Sequence, residues 1–195
     1  MEIQVQHRDL FATRLWQFDM PELLPLHAGW VEQVQAWRAQ NPSPAGRSNR
    51  QGWNSDKTVF ADPLFAPLQT ACQAAFQRAF ADMHLTQPLR FRLQAWVNLH
   101  DPGGFNTLHV HPNVLLSGCY YLEVPEASGA IVFRDPRPGV VLNPFPGRGV
   151  HCLPNIEIKP QAGQLLVFPH WLDHRVEPNA GDTPRIAVAM NAVAA

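Results

Sequence analysis

From Leu89 to Leu99 the sequence LRFRLQAWVNL sets Leu89, Phe91, Leu93, Ala95, Val97 and Leu99 against Arg90, Arg92, Gln94, Trp96 and Asn98 in strict alternation. A β-strand sends successive side chains to opposite faces, so this stretch is a strand with one continuous apolar face that must be covered. Further strands are expected at 115–124, 129–134, 139–142, 163–168, 174–177 and 185–193, separated by Gly, Pro, Asn and Asp clusters. Many short strands at this spacing predict a mainly β fold, a sandwich or jelly roll with helices against one face.

The cover comes from upstream. Residues 21–39 place Leu23, Leu24, Trp30, Val31, Val34 and Trp37 at helical spacing between Pro21 and the Asn41-Pro42 breaker. Residues 63–84 place Leu64, Leu68, Phe76, Phe80 and Met83 on one helical face, with Asp62 as N-cap and Pro63 in the first turn. The expected organisation is one domain over 1–195, with helical support at 21–84 and a jelly-roll core at 88–195. Two polar, turn-rich stretches, 41–57 and 143–155, are long for passive connections. They are candidates for substrate contact, the second as a lid.

With 15 basic and 16 acidic side chains the net charge is -1, which gives no electrostatic footprint for nucleic acid or an anionic membrane surface. No apolar run approaches the roughly 20 residues of a spanning helix, and the N-terminus lacks an apolar export region. A cytoplasmic protein with Cys72, Cys119 and Cys152 as reduced thiols is expected, and the outer face of the helices leaves a homodimer open.

Among the nine histidines, His109 and His111 flank Val110 in GGFNTLHVHPN. In extended backbone both rings project from one face and can converge on one ion; the bland reading is two histidines on a solvated strand. In GQLLVFPHWLDHRVEPN an apolar strand turns at Pro169 and His174 returns on the next strand, a candidate third ligand. Arg185 opens the closing strand, either in a strand-end ion pair or as the bidentate anchor of an acid cosubstrate. His170 and His174, spaced four apart, would pair on a helix, which Pro169 disfavours. Asp101, Asp135 and Asp173 are the nearest acids in sequence, and none follows a ligand histidine by two positions.

Taken in order, the HxH, the run Ser117-Gly118-Cys119-Tyr120-Tyr121-Leu122, the strand ending Phe168-Pro169, His174 and Arg185 resemble the iron(II) and 2-oxoglutarate-dependent oxygenases of the double-stranded β-helix fold. The resemblance is to the prolyl-hydroxylase-like branch and, within it, a bacterial and phage group that shares Ser48-Asn49, Gly52-Trp53 and His111-Pro112-Asn113. It implies a cupin-like jelly-roll core, the cofactors Fe(II), 2-oxoglutarate and O2, and hydroxylation of an unactivated C–H bond with release of succinate and CO2. The substrate would be a small molecule or a peptide, and no catalytic side chain beyond the metal centre would be required.

Carried onto this chain, the resemblance implies that His109 and His174 hold iron and that His111 stands where most of the superfamily has a carboxylate. His111 is then a true third ligand, or swings away, or marks a site for Zn, Ni or Cu. Arg185 and Tyr121 would hold the C5 carboxylate of 2-oxoglutarate, with Asn98 near the cosubstrate. Asn49, Trp53 and Phe145, on the two polar loops, are candidate substrate contacts. The competing readings are a three-histidine jelly-roll enzyme that does not use 2-oxoglutarate and a non-catalytic jelly-roll binding module.

Overall fold

The computed structural model describes residues 3–43, 48–87, 89–143, 146–147 and 149–195. Among the described residues nine strands form one curled antiparallel sheet: β1 (Trp16–Asp19), β2 (Asn49–Asn54), β3 (Phe91–His109), β4 (Leu116–Glu123), β5 (Ile131–Arg134), β6 (Asn155–Ile158), β7 (Gln164–Pro169), β8 (His174–Val176) and β9 (Arg185–Ala194). Their order is β1-β7-β4-β9-β3-β8-β5-β6, with β2 also paired to β3. The expected jelly roll is thus observed.

The curl comes from β3, which continues well past the expected end at Leu99. Its first half pairs with β9 from Phe91↔Ala194 to His100↔Arg185, and its second half pairs with β8 at Asn106↔Val176 and His109↔His174. Between them Gly103 takes φ +82, a conformation open to glycine at little cost. At Gly104 a Cβ would meet Gln51 O at 2.3 Å, so only glycine lets β2 lie across the bend.

The helices α1 (His27–Gln40) and α2 (Ala66–Ala81), each entered through a short 3-10 turn, cover the outer face of the larger half-sheet. Trp30, Val34, Leu68, Cys72, Phe76 and Phe80 pack there on Val97, Leu99, Tyr120, Val167, Val188 and Met190. Asp62 accepts a hydrogen bond from Leu64 N at 2.9 Å, as an N-cap should. Leu24, Leu64 and Met83, assigned to the buried helical faces, are 44%, 45% and 45% exposed: the helices roll so that smaller residues such as Cys72 and Ala79 take the contact. Among the described residues no helix is long and apolar enough to cross a membrane.

Three expectations change. Residues 139–142 are not a strand but lie in a one-turn helix, α3 (Pro138–Leu142), where Pro138 suits the first helical turn and no residue is buried. Residues 41–57 are not all loop: β2 runs through them, so Trp53, opposite Leu99, points to the helical side and is 2% exposed in the core. Its indole N–H donates to Asn41 O at 2.7 Å, and Trp53 therefore lines no substrate wall. The strands β1 and β6, WQFD and NIEI, alternate but are only four residues long, too short for the alternation to stand out in the sequence.

A buried polar link helps to join the layers. His27 is buried, with Nδ1 3.0 Å from Leu122 O and Nε2 2.8 Å from the Tyr120 hydroxyl. With Nδ1–H donating to the carbonyl, Nε2 accepts from Tyr120. Tyr120→Phe leaves that buried nitrogen unpaired, and the urea-unfolding free energy should fall by about 1–3 kcal/mol; an unchanged midpoint would show that water replaces the hydroxyl.

Candidate metal centre

The alternation that sends Ala95, Val97 and Leu99 to the helices sends Trp96, Asn98 and His100 inward, and β4 and β9 do the same with Cys119, Tyr121, Arg185, Ala187, Ala189 and Asn191. The inner faces enclose a cavity of about 830 Å³ whose lining includes Ser48, Trp96, Asn98, Cys119, Asn191 and all three candidate histidines.

His109 ends β3, His111 follows two residues on, and His174 opens β8 opposite His109. The three offer ring nitrogens that all lie within 4.8 Å of one another. Nε2 of His111 and Nε2 of His174 are 3.3 Å apart, close to the roughly 3 Å separating neighbouring nitrogens bound to one ion at about 2.1 Å. Two of the other nitrogens are already used. Nδ1 of His109 lies 2.7 Å from Thr107 O and Nδ1 of His174 lies 2.9 Å from Leu172 O, contacts that fix the Nδ1–H tautomer and turn Nε2 inward as a lone-pair donor. His111 N donates to His170 O at 2.9 Å, tying the HxH to the turn after β7. His170 thus borders the site and does not join the group.

Electrostatics favour neutral rings. Burial holds the His109 pKa below the ordinary value; burial, helped by His109 and His111, pushes His174 down to about 3. Among the described residues no carboxylate joins the histidines. Asp101 is held by Arg38 through two bonds of 2.8 and 2.7 Å, and Asp135 by Arg137, which keeps its carboxyl below the usual range.

At the other end of the inner face Arg185 is 2% exposed. Its guanidinium lies 5.3 Å from the centroid of Tyr121, and Nη1 donates to Gly129 O at 3.0 Å. Among the described residues no acid pairs with it. Its Nε and the Tyr121 hydroxyl are buried and make no close hydrogen bond, the hydroxyl facing Cys119 and the guanidinium itself. A buried cation with unspent donors fits a carboxylate of a bound ligand. The donor set as a whole therefore suits a divalent metal at one end and an acid at the other. Arg185 and Tyr121 lie behind the cavity lining, next to Cys119, whose thiol burial pushes up to about 11. Asn98 lines the cavity, its Oδ1 accepting from Asn54 and Asn49. Asn49 is buried behind Asn98 and lines nothing, and Phe145 lies outside the described residues. No described residue of 143–155 lines the cavity; His151 and Cys152 are not at the site, and His151 lies 3.6 Å from Asp9 on the surface. Two residues escaped the sequence reading. They are His100 beside Arg185, and Asn191, whose Oδ1 accepts from Ser117 Oγ at 2.8 Å and whose amide N–H groups are left for the cavity.

Residues 94–191, half of the chain, match the family described as "Putative 2OG-Fe(II) oxygenase". The chain belongs to this family. It is a 2-oxoglutarate-dependent oxidoreductase of the jelly-roll class that uses Fe(II) and 2-oxoglutarate. Among solved structures, a prolyl-4-hydroxylase from Pseudomonas putida shares 16% identity over 94% of each chain, with a TM-score of 0.66. The non-heme alpha ketoglutarate dependent carbocyclase SnoK from nogalamycin biosynthesis is 16% identical over 94% of this chain and 80% of its own, also at 0.66. HygX from Streptomyces hygroscopicus, with nickel and 2-oxoglutarate bound, is 12% identical over 93% and 83%, at 0.63. At such identities the likeness is one of fold. No curated protein sequence matches the chain.

The histidine burial has a pH consequence. His27, His100, His109 and His174 all have folded pKa values below the 6.5 of an unfolded histidine, His100 at about 4 through burial and then Arg185. Above pH 6.5 they are neutral in both states and add no pH dependence. As pH falls below 6.5 the unfolded chain gains protons the fold refuses, so metal-free protein loses stability, by at most about 1.4 kcal/mol per histidine per pH unit. Thermal melts of metal-free protein should fall steeply from pH 6.5 to 5 and stay level from 7 to 8; a melting temperature flat across pH 5–7 would contradict the burial.

Proposed function

We propose that this enzyme hydroxylates an unactivated C–H bond of a small molecule or peptide, with iron held by His109, His111 and His174 and 2-oxoglutarate anchored by Arg185 and Tyr121. The observation that carries it is the pairing, on one inner face, of three converging Nε2 atoms with a buried, acid-free guanidinium. With O2, such a centre couples oxidative decarboxylation of 2-oxoglutarate to succinate and CO2 with oxidation of a nearby C–H bond.

The chain's own residues supply geometry and charge. Thr107 O and Leu172 O orient two imidazoles through their Nδ1–H groups, so the rings need no reorganisation to bind metal. Three neutral rings leave the full +2 charge of the metal, which suits a dianionic cosubstrate. Arg185 draws the distal carboxylate to the far end, and Phe133 and Phe168, packed against His174, join Ile131, Leu166 and Tyr121 in a cluster that keeps water from the inner face. Asn98 presents its amide N–H groups along the path between, because two other asparagines occupy its oxygen.

The substrate side is the part of the cavity beyond the metal from Arg185. Asn191 lies six residues along β9 from Arg185, roughly 20 Å at 3.4 Å per residue, too far for the same small diacid to span. Trp96, Asn191 and Lys57, whose ammonium is 5.4 Å from the Trp96 ring, offer a flat wall and donors there. These donors favour a substrate carrying a carbonyl or carboxylate. Structures of this fold include a prolyl hydroxylase from Trichoplax adhaerens in complex with a peptide fragment and HygX with hygromycin B bound, which supports either a peptide or a small-molecule substrate.

Succinate release from 2-oxoglutarate with Fe(II) and O2 tests the assignment. His174→Ala should reduce iron retention and succinate to background, and Arg185→Gln should raise the 2-oxoglutarate requirement at least about tenfold, as for loss of a buried charge-assisted contact. Undiminished succinate from His174→Ala would overturn the ligand set.

A further inference from the structure

At the Arg185 end of the inner face three buried polar atoms make no close hydrogen bond: Arg185 Nε, the Tyr121 hydroxyl, which faces Cys119 and Arg185, and Nε2 of His100, whose ring faces Asn106. His100 and Arg185 are direct cross-strand partners on β3 and β9, and both side chains point inward. His100 is 3% exposed, and Arg185 is close enough to depress its protonation. A buried imidazole nitrogen without a partner is costly, and three such atoms clustered at one place mark a common absent partner. That partner accepts hydrogen bonds, since the guanidinium only donates and burial raises the Tyr121 pKa well above its usual value, keeping the phenol a donor.

We infer that His100 is a third anchor of the cosubstrate, donating its Nε2–H to the same distal carboxylate that Arg185 and Tyr121 hold. The inference rests on the 2-oxoglutarate reading above. Asn106 lies beside the His100 ring and gives its own Nδ2 to Ser48 Oγ at 2.9 Å, so Ser48, 3.4 Å from His109 Nε2, connects this anchor to the metal end. A carboxylate held by a guanidinium, a phenol and an imidazole is fixed in orientation as well as position. A keto acid without the distal carboxylate has nothing to offer His100.

The test uses protein loaded with Ni(II), which supports no turnover, and calorimetric titration with 2-oxoglutarate or with 2-oxobutyrate, which lacks the distal carboxylate. His100→Phe should weaken 2-oxoglutarate binding about tenfold or more and leave 2-oxobutyrate binding unchanged. The same loss should persist in an Arg185→Gln background. If 2-oxoglutarate does not bind the nickel-loaded wild type, the cosubstrate reading itself fails. If it binds wild type and His100→Phe equally, only the role of His100 is overturned. Equal loss for both keto acids assigns His100 to packing with Asn106, and no further loss in Arg185→Gln makes it a prop for Arg185; either result overturns the direct contact. Should His100→Phe not fold, His100→Gln, which keeps a donor on a shorter reach, should show a smaller loss with the same dependence on the distal carboxylate.

Discussion

The bend in β3 is the constraint on which the rest of the structure depends. One strand serves both halves of the sheet, pairing with β9 before Gly103 and with β8 after it, so the chain turns its inner face back on itself. Unbent, β3 would carry His109 about 30 Å beyond His100 at 3.4 Å per residue, and no metal group would form. The bend is pinned from outside by the Arg38–Asp101 pair, which ties it to α1, and from the opposite edge by Gly103 N donating to Asn179 O at 2.6 Å. The helices therefore do more than cover an apolar face: they help hold the turn that closes the site.

The electrostatics of the interior follow from the same curl. The inner face gathers four imidazoles and one guanidinium, while Asp101 and Asp135 are engaged by Arg38 and Arg137. A buried cation without a counter-ion is unfavourable in the free protein and becomes favourable when an acid enters. Part of the interior's polar strain is thus relieved by ligand, which is how a binding site differs from a core of the same size.

Much of this was legible in the sequence because alternation is a local property. The strands at 115–124, 163–168 and 185–193 announced themselves, and the HxH, His174 and Arg185 stood at the ends or starts of strands. The alternation in 89–99 names the face that the helices cover but gives the opposite face no destination: Trp96 and Asn98 line the cavity, and His100 points inward beside Arg185. His100 carries the same parity as Trp96 and Asn98, and that parity was the available signal. Trp53 was misplaced because β2, a short polar strand, gave no period from which its face could be read. Residues 139–142 looked like a strand on valine content alone, and no neighbouring edge receives them.

The central claim is that one inner face holds a divalent metal and a keto acid together. Anaerobic titration of metal-free protein with Fe(II) and then 2-oxoglutarate measures this directly through the weak visible charge-transfer band of the keto acid on iron. The band should appear at one equivalent of each and be lost in His109→Ala. Stoichiometric iron binding with no band at saturating 2-oxoglutarate would contradict the account.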